Sequence, residues 1–273
     1  MKMPKNFKVF YYMYKLNINN LKAYMKPVLE PKKQPVTTNS IHWVGHATVI
    51  INLYGKIIVT DPVLGNLGYI KRLVKPSIDV TKIKADYILI THGHMDHLNY
   101  NVLMRMNKDA VIIVPRGISI TLKLIGFKKI IQLKGRESYI DDFVKVSCIA
   151  AKHDGRRYWR FGYKDSNSYV IHRKDKSVLF TGDTAFTERY KNIFADAAVM
   201  PVGCYKPDEY LNIHCSPEQS FKMFKMSKCR IMIPVHYKTY ILAQDDDNET
   251  LKTLYRLNDG SIKVINVGET VNI

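Results

Sequence analysis

The stretch T-H-G-H-M-D-H, residues 91 to 97, sets His92, His94, Asp96 and His97 directly behind the apolar run ADYILI. Neutral imidazole and carboxylate are zinc-type ligands, and a catalytic ion keeps one position open for water. Nine histidines in 273 residues will sometimes bring two together by chance. Four metal-seeking side chains within seven residues point instead to a metal site. Three more follow other apolar runs: His153 after SCIAAK, Asp183 after VLFTG and His236 after IMIPV. Singly, each has an ordinary explanation. Asp183 could be a turn residue after Gly182, and His153 a surface histidine. The recurrence carries the argument, because ligands at strand ends sit on a rigid frame and can converge on one rim.

The elements that would position them are legible as short apolar strands. IHWVGHATVIINLYGKIIVTDP reads as two strands joined by a tight turn near Tyr54-Gly55. ADYILIT, AVIIVP, VKVSCIAA, NSYVIH, SVLFTGD, ADAAVMPVG and RIMIPVH read as further strands. Helices are expected around 99–107, 117–125, 188–194 and 216–227, the last with Ser216 as N-cap and Pro217 at its first position. Helices on the outer faces of two packed sheets would accommodate this order. With 46% hydrophobic and 11% aromatic residues, the chain can fill the core of one large domain or two small ones.

Residues 1–37 read as a separate basic, aromatic segment ahead of a body spanning 38–273. Residues 1–35 hold eight lysines and one acid, Glu30. Phe7, Phe10, Tyr11, Tyr14, Leu21, Tyr24 and Met25 could form a helical stripe, either packed on the body or resting on a bilayer interface. EPKKQP, residues 30–35, would act as a linker. No apolar run approaches the roughly 18 residues of a membrane span. Cys148, Cys204, Cys215 and Cys229 show no CxxC pairing, and no secretory signal is visible, so a cytoplasmic location is expected. Against 24 acidic residues stand 42 basic ones, a formal net charge of +18. Such a surface attracts polyanions: nucleic acid, anionic lipid or phosphorylated substrates. A lysine-rich proteome would produce the same balance.

The order HxHxDH, His153, GDT with Asp183, then His236 resembles the metallo-β-lactamase fold superfamily. The blocks WVGHATVIINLYGKIIVTDPV, AKHDGRRYW, MPVGCYKP, NIHCSPEQSF and PVHYKTYILAQDDDNE resemble the branch containing N-acyl-phosphatidylethanolamine phospholipase D and its bacterial relatives, over roughly residues 41–250. The resemblance implies an α/β fold, an αββα sandwich, whose body is a hydrolase domain with two divalent metal ions at one edge. His92, His94 and His153 would hold one ion; Asp96, His97 and His236 the other; Asp183 would bridge. Zn2+ is the first expectation, with Mn2+ or Fe suited to the same ligands. Two ions roughly 3.5–4 Å apart lower the pKa of bound water toward about 7 and clamp attacking and leaving oxygens.

The implied reaction is hydrolysis of a phosphodiester, lipid or small molecule, by a metal-bridging hydroxide. Asp96 would also accept or orient a proton, and His214 would donate to the departing oxygen. Peripheral association with an anionic membrane follows as an expectation about partners, and the charge keeps nucleic acid open. His46 would lie near the site, either supporting it or packed with its own hydrogen bonds. Asp61 would orient a ligand histidine rather than bind metal. Cys204, in place of a small residue, reads as structural, and His42 and His172 as strand or surface residues. Alternatives are a lactonase of a phosphorylated sugar acid such as ascorbate 6-phosphate, a nuclease, and a non-catalytic metal-binding partner protein.

Overall fold

The computed structural model describes residues 5–157 and 164–273. The aromatic, basic run at 158–163 lies outside the described residues, as does the side chain of Phe7. Two mixed β-sheets pack face to face, with helices on their outer sides.

The first sheet is built from β1 (Ser40–Gly45), β2 (Thr48–Leu53), β3 (Lys56–Thr60), β4 (Tyr87–Leu89), β5 (Val111–Pro115), β6 (Lys129–Leu133) and β13 (Thr270–Asn272), in the order β13-β1-β2-β3-β4-β5-β6. The second holds β7 (Ser138–Ile140), β8 (Lys145–Ala150), β9 (Asn167–Arg173), β10 (Lys176–Phe180), β11 (Ala197–Pro201) and β12 (Ile231–Val235), in the order β12-β11-β10-β9-β8-β7. Within the first sheet β3, β4, β5 and β6 run parallel; within the second, β10, β11 and β12 do. Parallel strands covered on both faces are apolar throughout, which is why ADYILIT and AVIIVP show no polar alternation.

The period of two divides each run between two cores. Trp43, Ile51, Ile58, Leu89 and Ile113 face the second sheet, where they meet Tyr169, Ile171, Leu179, Val199 and Ile233. Their neighbours Val44, Ile50, Val59, Ile88 and Ile112 face outward. There they are covered by α2 (Tyr100–Arg105) and α3 (Ser119–Leu124) through Val102, Leu103 and Leu122. On the second sheet, α4 (Pro217–Ser227) buries Met223 and Phe224. Its start matches the sequence reading: Ser216 accepts from the Gln219 N–H, the Gln219 side chain answers back, and Pro217 opens the helix. The next helix, α5 (Asp247–Leu257), is capped by Asp246 and was not foreseen.

Two expectations need correction. The first hairpin region is three strands, because Gly45 (φ +129°) and His46 (φ +56°) break the chain between β1 and β2. Residues 188–194, expected as a helix, form no helix: 189–192 are turns. Asn192 takes a left-handed φ of 62° and sends its N–H to the Met226 carbonyl, which ends any helical ladder.

The N-terminal segment forms α1 (Lys5–Tyr24). It rests on the body through Leu16, Asn20 and Ala23, with Asn20 Nδ2 donating to the Ile241 carbonyl at 3.0 Å. Residues 30–35 are strapped to the C-terminal segment: Lys32 N–H meets the Val267 carbonyl and Gln34 N–H the Gly268 carbonyl. Among the described residues no helix is long and apolar enough to cross a membrane.

Candidate metal centre

Three of the chemically loaded strands deliver their residue at the same distance. His92 lies three residues beyond β4, His153 three beyond β8 and Asp183 three beyond β10, while His236 follows β12 directly. All four loops open at one edge of the sandwich. The structure brings His92, His94 and His153 into one group, and His46, Asp96, His97 and His236 into another. Asp183 falls between them. Its Oδ1 is 3.2 Å from His236 Nε2, and its Oδ2 is 3.2 Å from His97 Nε2 and 3.9 Å from His92 Nε2. His94 Nδ1 lies 3.0 Å from His92 Nε2 and 3.2 Å from His153 Nε2. All seven residues named from the sequence as ligands therefore meet in one cluster.

The far side of each ring decides which nitrogen faces inward. His153 Nδ1–H donates to the Ile213 carbonyl at 2.6 Å, which leaves Nε2 as a lone pair. His97 Nδ1–H donates to Asp61 Oδ2 at 2.7 Å, with the same result. Thr91 links the third ring to that carboxylate: its hydroxyl donates to Asp61 Oδ2 at 2.7 Å and accepts from His92 Nδ1–H at 3.0 Å. One buried aspartate thus sets the tautomer of two histidines, one directly and one through a hydroxyl. Asp61 does orient a ligand-type histidine; the threonine beside it was missed. Its only signal in the sequence was a hydroxyl placed immediately before His92.

The charges of His92, His94, His153 and Asp183 agree with a ligand role. At His97 and His236 burial opposes protonation, but the surrounding carboxylates outweigh it and raise both imidazoles well above their ordinary pKa, so a metal ion would have to displace a proton from each. Burial pushes the His92 imidazole well below its ordinary pKa, and His97 and His153 push it further. Burial likewise lowers His94 and His153. Neutral imidazole is the form that binds metal. Burial opposes ionisation of Asp183 as well, yet His236 and His97 hold it well below the usual carboxylate range. The chemistry of the donor set fits divalent ions, and so does its hydrogen bonding. Nε2 of His97, Nε2 of His236 and Oδ1 of Asp183 are buried and make no hydrogen bond. Buried polar atoms without partners are rare, and three within one cluster of donors call for an electrophile.

Two further histidines lie at the cluster. His46 donates from Nε2 to Asp96 Oδ2 at 3.0 Å, and burial pushes its pKa down to about 3, so it is neutral. Its backbone is held on both sides: the N–H donates to Thr239 Oγ1, and the carbonyl accepts from Trp43 Nε1. His214 is close to the group, with Nδ1 3.7 Å from Asp183 Oδ2 and no hydrogen-bond partner. With His153 and Asp183 it forms a further group of ligand-type atoms. Cys204 is buried, takes a φ of 63° and sends its N–H to Asp245 Oδ2. His42 is buried in β1 between Thr270 and Ser77, and His172 is part of β9, away from the cluster.

Close backbone approach completes the frame. A Cβ on Gly203 would stand 2.1 Å from the His236 carbonyl oxygen, and one on Gly155 would stand 2.8 Å from the His92 Cβ. Only glycine lets these loops lie against the ligand segments.

Comparison with known proteins is consistent with this geometry. The family model described as "Beta-lactamase superfamily domain" matches residues 56–237. The N-acyl-phosphatidylethanolamine-hydrolyzing phospholipase D 1 of Caenorhabditis elegans is 26% identical over 268 residues, covering 83% of this chain and 74% of its own. A metal-dependent hydrolase of Anoxybacillus flavithermus is 26% identical over 246 residues, covering 84% of this chain and 97% of its own. Among solved structures, a metallo hydrolase from Ignicoccus hospitalis superposes with a TM-score of 0.64 at 21% identity, over 85% of this chain and 97% of that one.

Proposed function

Since the chain belongs to the beta-lactamase superfamily and is a metal-dependent hydrolase with the metallo-β-lactamase fold, we propose that it cleaves a phosphodiester bond, lipid or small-molecule, at a two-metal site. The observation that carries the reading is the position of Asp183 between the two histidine groups: Oδ1 lies 3.2 Å from His236, and Oδ2 lies 3.2 Å from His97 of the same group and 3.9 Å from His92 of the other. In this reading His92, His94 and His153 would hold one ion and Asp96, His97 and His236 the other, with Asp183 available to both. Zn2+ suits the donors best, with Mn2+ or Fe as alternatives. When bound, such ions supply hydroxide at neutral pH and an electrophilic seat for phosphate oxygens.

The protein's own groups do the rest. Asp61 and Thr91 keep the Nε2 lone pairs of His97 and His92 turned inward. Asp96, steadied by the His46 N–H, can orient a proton on the attacking side. His214 is a neutral imidazole at the rim, with 12% of its side chain exposed, and its N–H can hydrogen-bond the departing oxygen and stabilise the charge that develops there. The similarity to a worm phospholipase D and the net charge of +18 support a phosphate-bearing substrate over an uncharged one.

The test is to reconstitute the protein with Zn2+ or Mn2+, count metal per chain, and assay bis(p-nitrophenyl) phosphate, N-acylated phospholipid and a sugar lactone side by side. About two ions per chain and phosphodiester turnover are expected. Asp183→Ala should lose metal and activity together, while His214→Ala keeps metal and loses rate. Lactone opening without phosphodiester cleavage would replace the proposed substrate class. Loss of metal in His214→Ala would make His214 a ligand.

A further inference from the structure

Helix α1 has two apolar faces, and only one of them is used. Leu16, Asn20 and Ala23 face the body and are buried. On the opposite side Phe10, Tyr14 and Leu21 recur at spacings of four and seven residues, which an α-helix places on one stripe, and Met25 follows in the turn just beyond the helix. They are 70%, 58%, 63% and 86% exposed. The aromatic stripe expected from the sequence is thus real, but it faces away from the fold. Large apolar side chains scattered singly need no explanation; three in line on one helix, with a fourth at its end, do.

Beside the stripe runs a second one of opposite character. Lys15 and Lys22 are exposed and follow the same helical period, displaced to one flank of the apolar line, and the exposed Lys26 follows just past the end of the helix. Tyr24 adds to the surface, its hydroxyl donating to the Tyr69 carbonyl while Lys71 Nζ lies 5.5 Å from its ring centre. Aromatics along one face with lysines at its edge form the pattern of a helix lying in a lipid headgroup layer. A second copy laid on the apolar line would bring its own lysines against Lys15, Lys22 and Lys26, whereas an anionic headgroup layer matches both rows at once.

The placement relates the helix to the metal centre. Gln244 Nε2 donates to the Tyr12 carbonyl and Asn20 to the Ile241 carbonyl, so α1 is seated on the loop that leaves His236. Tyr240, in that loop, sets its ring edge-on to His46 at 5.1 Å between centroids.

We propose that α1 is a membrane-docking surface which lays Phe10, Tyr14, Leu21 and Met25 into the interface of an anionic bilayer, with Lys15, Lys22 and Lys26 against the headgroups. The docking stands on the helix alone. That it presents a lipid substrate to the centre rests on the phosphodiester reading given above.

The experiment uses the full chain and a triple variant, Phe10→Ser, Tyr14→Ser and Leu21→Ser. Each is sedimented with phosphatidylglycerol-containing vesicles and with pure phosphatidylcholine vesicles, and each is melted and sized in solution. The wild type should bind the anionic vesicles, bind the neutral ones much less, and weaken as salt shortens the Debye length from about 30 Å at 0.01 M to about 8 Å at 0.15 M. The triple variant should bind at least about tenfold more weakly, since each buried apolar group contributes on the kcal/mol scale. It should melt within a few degrees of wild type, because these side chains touch little of the body. Equal vesicle binding by the two proteins would overturn the proposal. So would a wild-type dimer that the variant converts to monomer, which would give the stripe to a second copy. Hydrolysis of bis(p-nitrophenyl) phosphate is read in parallel: its absence in both proteins, with vesicle binding intact, would remove the phosphodiester reading and leave the docking surface standing.

Discussion

Asp61→Asn changes one atom and removes the acceptor on which the candidate centre depends. The carboxylate is fully buried and meets three donors: the Thr91 N–H at 2.8 Å on Oδ1, and on Oδ2 the Thr91 hydroxyl and His97 Nδ1–H, both at 2.7 Å. An asparagine has one acceptor. If its oxygen takes the Oδ2 position, its amide N–H meets the Thr91 N–H. If it is turned round, the amide N–H meets His97 Nδ1 and drives the ring to the tautomer that carries its proton on Nε2, which then cannot bind metal. Either way a buried donor is left unmet, costing about 1–3 kcal/mol. For a domain of this size that is a fall of about 2–4 °C in Tm per kcal/mol. Metal affinity should drop about 10- to 100-fold, the range seen when the partner of a ligand histidine is altered. Chelator competition with zinc, read by atomic absorption, gives the affinity, and calorimetry of the same samples gives the stability. Asp61→Asn protein that binds zinc as tightly as wild type would refute the relay through Asp61 and Thr91. It would mean that Asp61 is already protonated, the direction in which burial pushes it.

Two further outcomes follow from the structure. Gly203→Ala would force a methyl against the His236 carbonyl, 2.1 Å away, so we expect about 1–3 kcal/mol of destabilisation together with lost metal; a variant with wild-type melting temperature and metal content would contradict the close packing. Burial holds the His42 pKa down to about 4, whereas in the unfolded chain it titrates near 6.5. The unfolded state therefore takes up a proton first as pH falls, and stability is full above about pH 6.5 and lost through the window down to about pH 4, by up to ~3 kcal/mol. Denaturant melts of His42→Gln across that window should show a shallower pH dependence than wild type, and parallel curves would contradict this assignment.

The strands were legible because burial on both faces writes an uninterrupted apolar run, and the ligands because four of those runs, ADYILI, SCIAAK, VLFTG and IMIPV, led into histidine or aspartate. The misread places are those where single residues override the pattern. His46 sits inside an apolar stretch, and only its left-handed φ, with Gly45 before it, divides one apparent strand into two. The short strands β6, β7 and β13 carry exposed residues on paired edges, so neither period nor hydrophobicity marked them. Helix α5 is mostly polar and was visible only through the Asp246 cap. For α1 the apolar spacing was plain, but a sequence cannot say which of two apolar faces meets the body. That was decided by Leu16, Asn20 and Ala23, small or branched enough to sit against the 241–244 loop.

Each histidine group draws on both sheets: His94 from the first is matched with His153 of the second, and His97 with His236. An ion held by either group is therefore a cross-link between the two halves of the sandwich, closing loops that the backbone leaves open. Its contribution to folding is governed by mass action, growing as RT ln(1 + [metal]/Kd) and reaching about 4 kcal/mol at a thousandfold excess over Kd. The protein's resistance to unfolding and proteolysis would then be set by the concentration of free metal around it. A shortage of the ion would shorten the life of the fold as well as silence its chemistry.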